Sequence, residues 1–242
     1  MTTSNPPLSA AAPFYTTRWT RVCLAKADSE DGRRALADLC EAYYEPVVAY
    51  LRSVVRDADA ARELSHAFFA EMLGGGTIHT ADPGRGRFRS YLLGAVKHFV
   101  GHQREAAGRL KRGGGLAAVS LDDDEAAEVP DARQLPPDAE FDRQWAMTVI
   151  ARSLSALRAE CIAEGRGPFF DSVHGILNGH ASHGDQTRLA VTCGMNFDAF
   201  RMAVSRLRKR LRDCVKAEVA GTLEDPAAVQ EEMEALFAAL GR

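Results

Sequence analysis

The chain has 242 residues, 46% of them hydrophobic and 26% charged, with a formal net charge of −3, enough apolar mass for one large or two small cores. Charges or glycines interrupt every apolar run before the roughly 20 residues a membrane helix needs, and the N-terminus lacks the basic start and apolar core of a secretory signal, so a cytoplasmic chain is expected. The five cysteines, Cys23, Cys40, Cys161, Cys193 and Cys214, are odd in number and without a C-x-x-C spacing, which points to reduced thiols and away from a disulfide framework or zinc ribbon.

Residues 1–16 are rich in Pro, Ser and Ala and are expected to be disordered. Helical spacing dominates from Thr17, with Trp19, Val22 and Cys23 as a short amphipathic turn. Leu36, Leu39, Cys40, Tyr43 and Tyr44 follow, then Val47, Val48, Leu51, Val54 and Val55 beyond Pro46, which predicts a kink or junction there. Asp57 or Asp59 can cap the next helix, whose Leu64, Phe68 and Met72 form a stripe before Gly74-Gly75-Gly76 ends it. After a turn around Asp82-Pro83-Gly84, a helix is predicted from about Phe88 to Leu110. Its Phe88, Leu92, Val96 and Phe99 face inward, with Arg89, Lys97 and Arg104 on the outer side. Residues 111–140 open with KRGGG and continue acidic and proline-containing, a composition that predicts a linker. A second helical region starts near Phe141, with Trp145, Val149, Ile150, Leu154 and Leu157 as its stripe.

From Asp185 to Lys216 the pattern is two helices around a tight turn. Asp185 suits the first N-cap, Gly194 the left-handed turn, and Asn196 the second cap. Phe197, Phe200, Val204, Leu207 and Leu211 form an apolar stripe on the second helix. Arg201, Ser205, Arg208 and Arg212 line another face, with Lys209 and Lys216 beside them. A helix apolar on one side and cationic on the other, entered through a glycine turn, suits a DNA major groove. After Asp225-Pro226 a last helix is expected to turn Val229, Met233, Leu236, Phe237 and Leu240 to one side. Almost nothing reads as a strand, so the fold class is all-α.

The net charge hides a segregated distribution. Arg85 to Arg112 holds eight Arg/Lys against Glu105, and Arg188 to Lys216 holds eight against Asp198 and Asp213. Asp122 to Asp142 between them holds nine acids and the single base Arg133. Two basic segments with an acidic spacer form the footprint of a polyanion-binding chain.

Several stretches, in this order, resemble the extracytoplasmic-function (ECF) sigma factors of bacterial RNA polymerase, in an ECF-like branch with a C-terminal extension. They are Thr17-Arg18-Trp19, the run from Asp82 through Gly86-Arg87-Phe88-Arg89-Ser90-Tyr91 to Leu93, Lys111-Arg112-Gly113-Gly114-Gly115, Phe141-Asp142-Arg143-Gln144-Trp145-Ala146, and Gly194-Met195 through Arg210. The resemblance implies two helical domains, 17–113 like sigma region 2 and 141–218 like the helix-turn-helix of region 4. A flexible acidic linker, 114–140, joins them, and a helical extension, 219–242, follows. It further implies that the helix around residues 59–73 grips the polymerase clamp, with Glu63, Leu64, His66 and Phe69 as contacts. Glu63-Leu64-Ser65-His66-Ala67 stand where family members usually carry D-L-V-Q-E. The helix after Phe88 would face −10 DNA, with Arg89, Lys97 and Arg104 against phosphates. The helix from Asn196 would read −35 duplex, with Arg201, Ser205, Arg206 and Arg208 as base or phosphate contacts and Lys209, Arg210 and Arg212 as phosphate anchors. RNA polymerase core and promoter DNA are the implied partners, with an anti-sigma factor as a further partner class and no membrane. The alternatives weighed are a DNA-binding regulator on the same scaffold without productive polymerase contact, and a protein-interaction module using the extension.

Other chemistry finds little support. His98 and His102 stand four apart, and His180 and His183 lie in a glycine-flanked stretch, but no H-E-x-x-H glutamate or Cys pair accompanies them, so no metal site is expected. Neither a glycine motif followed by Lys-Ser/Thr nor a G-x-S-x-G occurs. No enzymatic activity and no cofactor are expected.

Overall fold

The computed structural model describes residues 19–27, 29–74, 78–82, 86–112, 135–177, 183–223 and 225–241. The expected disorder of 1–16, the turn at Pro83-Gly84 and most of the acidic linker lie outside these residues. Every regular element among the described residues is helical, as the periodicity requires: α1 (Trp19–Ala25), α2 (Glu30–Val55), α3 (Ala58–Leu73), α4 (Phe88–Arg112), α5 (Pro137–Ala163), α6 (Gly167–Leu177), α7 (His183–Thr192), α8 (Phe197–Ala220) and α9 (Val229–Leu240). Short 3-10 turns stand at Ile78–Thr80 and Pro226–Ala228. Among the described residues no helix is long and apolar enough to cross a membrane.

The helices form two compact units, one of residues 16–149 with 218–242, the other centred on 150–217. This division differs from the expected one in two ways. The boundary falls within α5, whose helix already begins at Pro137 rather than near Phe141, and the C-terminal extension clusters with the first unit.

In the first unit, α2 is seeded by Ser29, whose hydroxyl accepts the Gly32 N–H at 3.0 Å. Gly32 is required by space: a Cβ there would meet the Ala27 carbonyl oxygen at 2.0 Å. The helix runs unbroken across Pro46, which is buried within it, so the expected junction is absent. Asp57 caps α3 through the Asp59 and Ala60 amides, both at 2.8 Å. The core joins α2, α3 and α4. Tyr43 meets Phe88 edge-on at 5.4 Å between centroids, and Phe68 meets Phe99 at 5.6 Å, with Leu39, Leu51, Met72 and Leu92 filling between. Lys26 donates to the Ala81 carbonyl at 2.5 Å, fastening the α1–α2 connection beside the Ile78–Thr80 turn.

α9 is also part of this unit, but not by the face the sequence suggested. Val229, Leu236 and Ala239 are buried, whereas Phe237 and Leu240 are exposed. The helix is rotated so that Glu232, fully buried, points inward. Two arginines draw it there. Arg89 Nε donates to Glu232 Oε1 at 3.0 Å and Arg89 Nη2 to Oε2 at 3.2 Å, while Arg87 Nη1 reaches Oε2 at 2.9 Å. Arg89 also pairs with Asp142 at the start of α5, and its guanidinium lies 4.4 Å from the Trp145 ring centroid. A buried carboxylate is stable only when paired and hydrogen-bonded in this way. The cluster therefore clasps α4, α5 and α9 at one point.

Candidate nucleic-acid interface

The second unit has its own core, made of Leu157 and Cys161 from α5, Phe170, Val173 and Ile176 from α6, Ala190 from α7, and Phe200, Val204 and Leu207 from α8. The turn between α7 and α8 forms as its residues dictate. Gly194 takes φ +64°, a conformation that costs an L-residue with a Cβ about 1–2 kcal/mol. Its N–H reaches the Val191 carbonyl, and the Met195 N–H reaches that of Ala190, each at 2.9 Å, closing the end of α7. Asn196 then caps α8, its Oδ1 accepting the Ala199 N–H at 2.8 Å. Asp185 does not cap α7, because that helix starts two residues earlier, at His183; the carboxylate instead pairs with Arg188 in the first turn.

With its buried stripe fixed by Phe200, Val204 and Leu207, α8 turns Arg201, Met202, Ser205, Arg206, Arg208, Lys209 and Arg212 to solvent. At 100° per residue, Met202, Arg206 and Lys209 lie opposite the buried stripe, and Arg201, Ser205 and Arg212 lie on one flank. Arg201 approaches the Phe197 ring at 5.9 Å, Arg206 reaches the Met202 carbonyl at 3.4 Å, and Arg208 reaches that of Ile176 at 3.3 Å. Among the described residues no carboxylate pairs with Arg201, Arg206, Arg208, Lys209 or Arg212.

Arg210 differs. It turns to the other flank and binds Glu160 at 2.7 Å and Glu164 at 2.9 Å, both on or just beyond the end of α5. Hydrogen bonds to Glu164 and then Glu160 raise its pKa, and the same contacts, from Arg210 first and Arg166 second, hold Glu164 below its usual carboxylate value. Arg210 thus orients α8 against α5 and is not a free phosphate anchor. Glu160 and Glu164, four residues apart beside the α5 C-terminus, are partners the sequence reading missed; an acid pair at helical spacing with no cation on its own face was the available signal.

On α4 the expected phosphate-facing set also changes. Arg89 is only 8% exposed and its charge is held by Glu232 and Asp142. Burial pulls its pKa down, but the Glu232 hydrogen bond and charge outweigh that, and the group is bound more firmly to its proton. Its assignment to the outer face is corrected: position 89 lies one residue from Phe88, at the edge of the buried stripe, where α5 and α9 cover it. Lys97 stands on the surface but donates to Asp138 at 2.6 Å, the contact that chiefly raises its pKa. Arg104 is exposed.

Of the four expected polymerase contacts on α3, Glu63 and His66 are exposed and Leu64 is half-buried. Phe69 is buried, edge-on to Phe68 at 5.4 Å and stacked on Tyr44 at 5.9 Å, so it serves the core and is withdrawn as a contact. His66 is oriented by Tyr44, whose hydroxyl lies 3.0 Å from Nε2.

The His98 and His102 rings are 4.1 Å apart on α4. Among the described residues no group of three or more His, Cys, Asp or Glu is placed to hold a metal ion. Cys161 is buried, Cys23 exposed and the other three thiols lie between, none of them in a disulfide.

Comparison with models of known protein families gives no match, and neither characterised proteins nor solved structures match the chain.

Proposed function

We propose that the chain is a transcription initiation factor of the ECF sigma type, which binds core RNA polymerase, reads a −35 duplex with α8 and helps open the −10 segment with the unit containing α4. It acts by binding, in the cytoplasm, without covalent catalysis. The observation that carries this reading is the outward face of α8, where Arg201, Arg206, Arg208, Lys209 and Arg212 stand exposed behind a glycine turn and an asparagine cap. Such a face can neutralise phosphates and reach base edges in a major groove.

Run-off transcription tests it. Added to core polymerase that cannot start alone, the chain should confer initiation at a promoter selected with it, and Arg201→Ala with Arg212→Ala should reduce that initiation. Absence of initiation with retained DNA binding rejects the sigma assignment. A second reading, a DNA-binding regulator without productive polymerase contact, is favoured by the burial of Phe69, which leaves only Glu63, His66 and part of Leu64 for the clamp. Retention of core polymerase in a pull-down with the full chain separates the two.

A further inference from the structure

Resting on the reading of α8 as a DNA-reading helix, we infer that Met202 is a specificity residue that contacts the C5-methyl group of a thymine in the major groove. Met202 is 61% exposed and is the one large apolar side chain exposed on α8 among the described residues. Scattered exposed apolar residues are ordinary, so its placement matters more than its exposure. It lies one turn into the helix, opposite the buried stripe, with Arg201 beside it, Ser205 and Arg206 one turn on, and Lys209 two turns on. All three cations are exposed and free of carboxylate partners among the described residues.

A methionine gains nothing from water at that position; exposed Asp198 stands one turn before it, while the guanidinium and ammonium groups beside and beyond it suit a polyanion whose surface carries an apolar spot. The thymine methyl is that spot in duplex DNA, since it is the apolar group that base edges present in the major groove. The thioether chain is long, unbranched and polarisable, so it can follow a methyl across small shifts in docking. The flanking cations fix the helix against phosphates, and Met202 contributes discrimination between thymine and the other bases.

The test uses the full chain, with and without core polymerase, to enrich duplexes from a randomised pool. Each thymine of an enriched duplex is then replaced singly by uracil, which deletes the methyl and keeps every hydrogen-bonding group. One position should show about fourfold weaker binding, the value of one methyl lost from an apolar contact. Met202→Ala should abolish that sensitivity, and Met202→Leu should restore it. Uracil replacement without effect at every position overturns the inference, as does unchanged sensitivity in Met202→Ala. Either result leaves DNA binding through α8 intact if Arg201→Ala still weakens it. Failure to enrich any duplex in both arms would instead reject the underlying reading, and this inference with it.

Discussion

Removing the buried Glu232 carboxylate should loosen the unit containing α1 to α4 more than removing a surface charge near it. Glu232 is fully buried and meets two guanidinium groups, Arg89 through both oxygens and Arg87 at 2.9 Å. Breaking a buried ion pair by deleting one partner costs about 3–5 kcal/mol, because the remaining charge is left desolvated. Here Asp142 still holds Arg89 and Glu231 still holds Arg87, at 2.6 Å. The expected loss for Glu232→Ala is therefore at the low end, about 3 kcal/mol. Glu232→Gln keeps a hydrogen-bond acceptor and should lose less. Glu231→Ala removes a carboxylate that is 74% exposed, and should cost below about 1 kcal/mol. Trp145, buried beneath Arg89, supplies a local probe. Urea unfolding followed by its fluorescence in a Trp19→Phe background reads this unit directly, and the two-unit chain makes such a local probe preferable to a global one. If Glu232→Ala moves the midpoint no further than Glu231→Ala, the clasp carries no stability and the argument fails.

Four further outcomes follow from other features. Gly194→Ala should destabilise the α7–α8 turn by about 1–2 kcal/mol through its left-handed φ, and Asn196→Ala should lose about 1 kcal/mol of capping; both are measured by thermal unfolding, and a neutral Gly194→Ala would mean the turn relaxes. The Arg210 clasp should weaken in acid: Glu164 is held below its ordinary value of 4.5 when folded, so its contribution is full above that value and is lost as pH falls through the lower folded one. NMR of the Glu164 side-chain carboxyl should show this, and Arg210→Gln should reduce the shift without abolishing it, since Arg166 remains on Glu164. A thiol reagent at mildly alkaline pH should label exposed Cys23 first and spare Cys40, whose pKa burial pushes up to about 11; fast labelling of Cys40 would contradict its burial.

Periodicity and capping chemistry made the helices and the turn legible. Asp57, Gly194 and Asn196 act as their residue types demand, since each works on backbone groups a few positions away. What escaped the sequence was long-range pairing. Arg89 and Glu232 are 143 residues apart and Arg210 and Glu164 are 46 apart, and no local pattern distinguishes an arginine that will meet a buried carboxylate from one that will face solvent. The α9 stripe went astray for the same reason. Its apolar residues support more than one facing side, and the two arginines decided the rotation. Phe69 was placed on the surface by the resemblance, although an aromatic next to Phe68 on a helix flanking a core is drawn inward by its own apolar area.

The pairing also explains how a chain of net charge −3 can present a cationic helix. Some of the acids are matched to cations away from α8: Asp142, Glu231 and Glu232 with Arg87 and Arg89, Asp138 with Lys97, and Asp171 with Arg158. On α8 only Arg210 is matched in this way among the described residues. Arg208, Arg212 and Lys216 instead stand four residues apart in one row, an arrangement that destabilises a helix by about 0.2–0.5 kcal/mol per like-charged pair. The helix keeps this repulsion although a carboxylate at position 212 would relieve it. Arg212→Glu separates stability from DNA binding. It places a carboxylate between Arg208 and Lys216, so the helix should gain stability by a few tenths of a kcal/mol per new pair, while binding to duplex DNA should weaken and its salt dependence flatten. Thermal unfolding and a salt titration of DNA binding read the two effects, and a variant that is stabilised yet binds DNA as before would show that this row faces away from the nucleic acid.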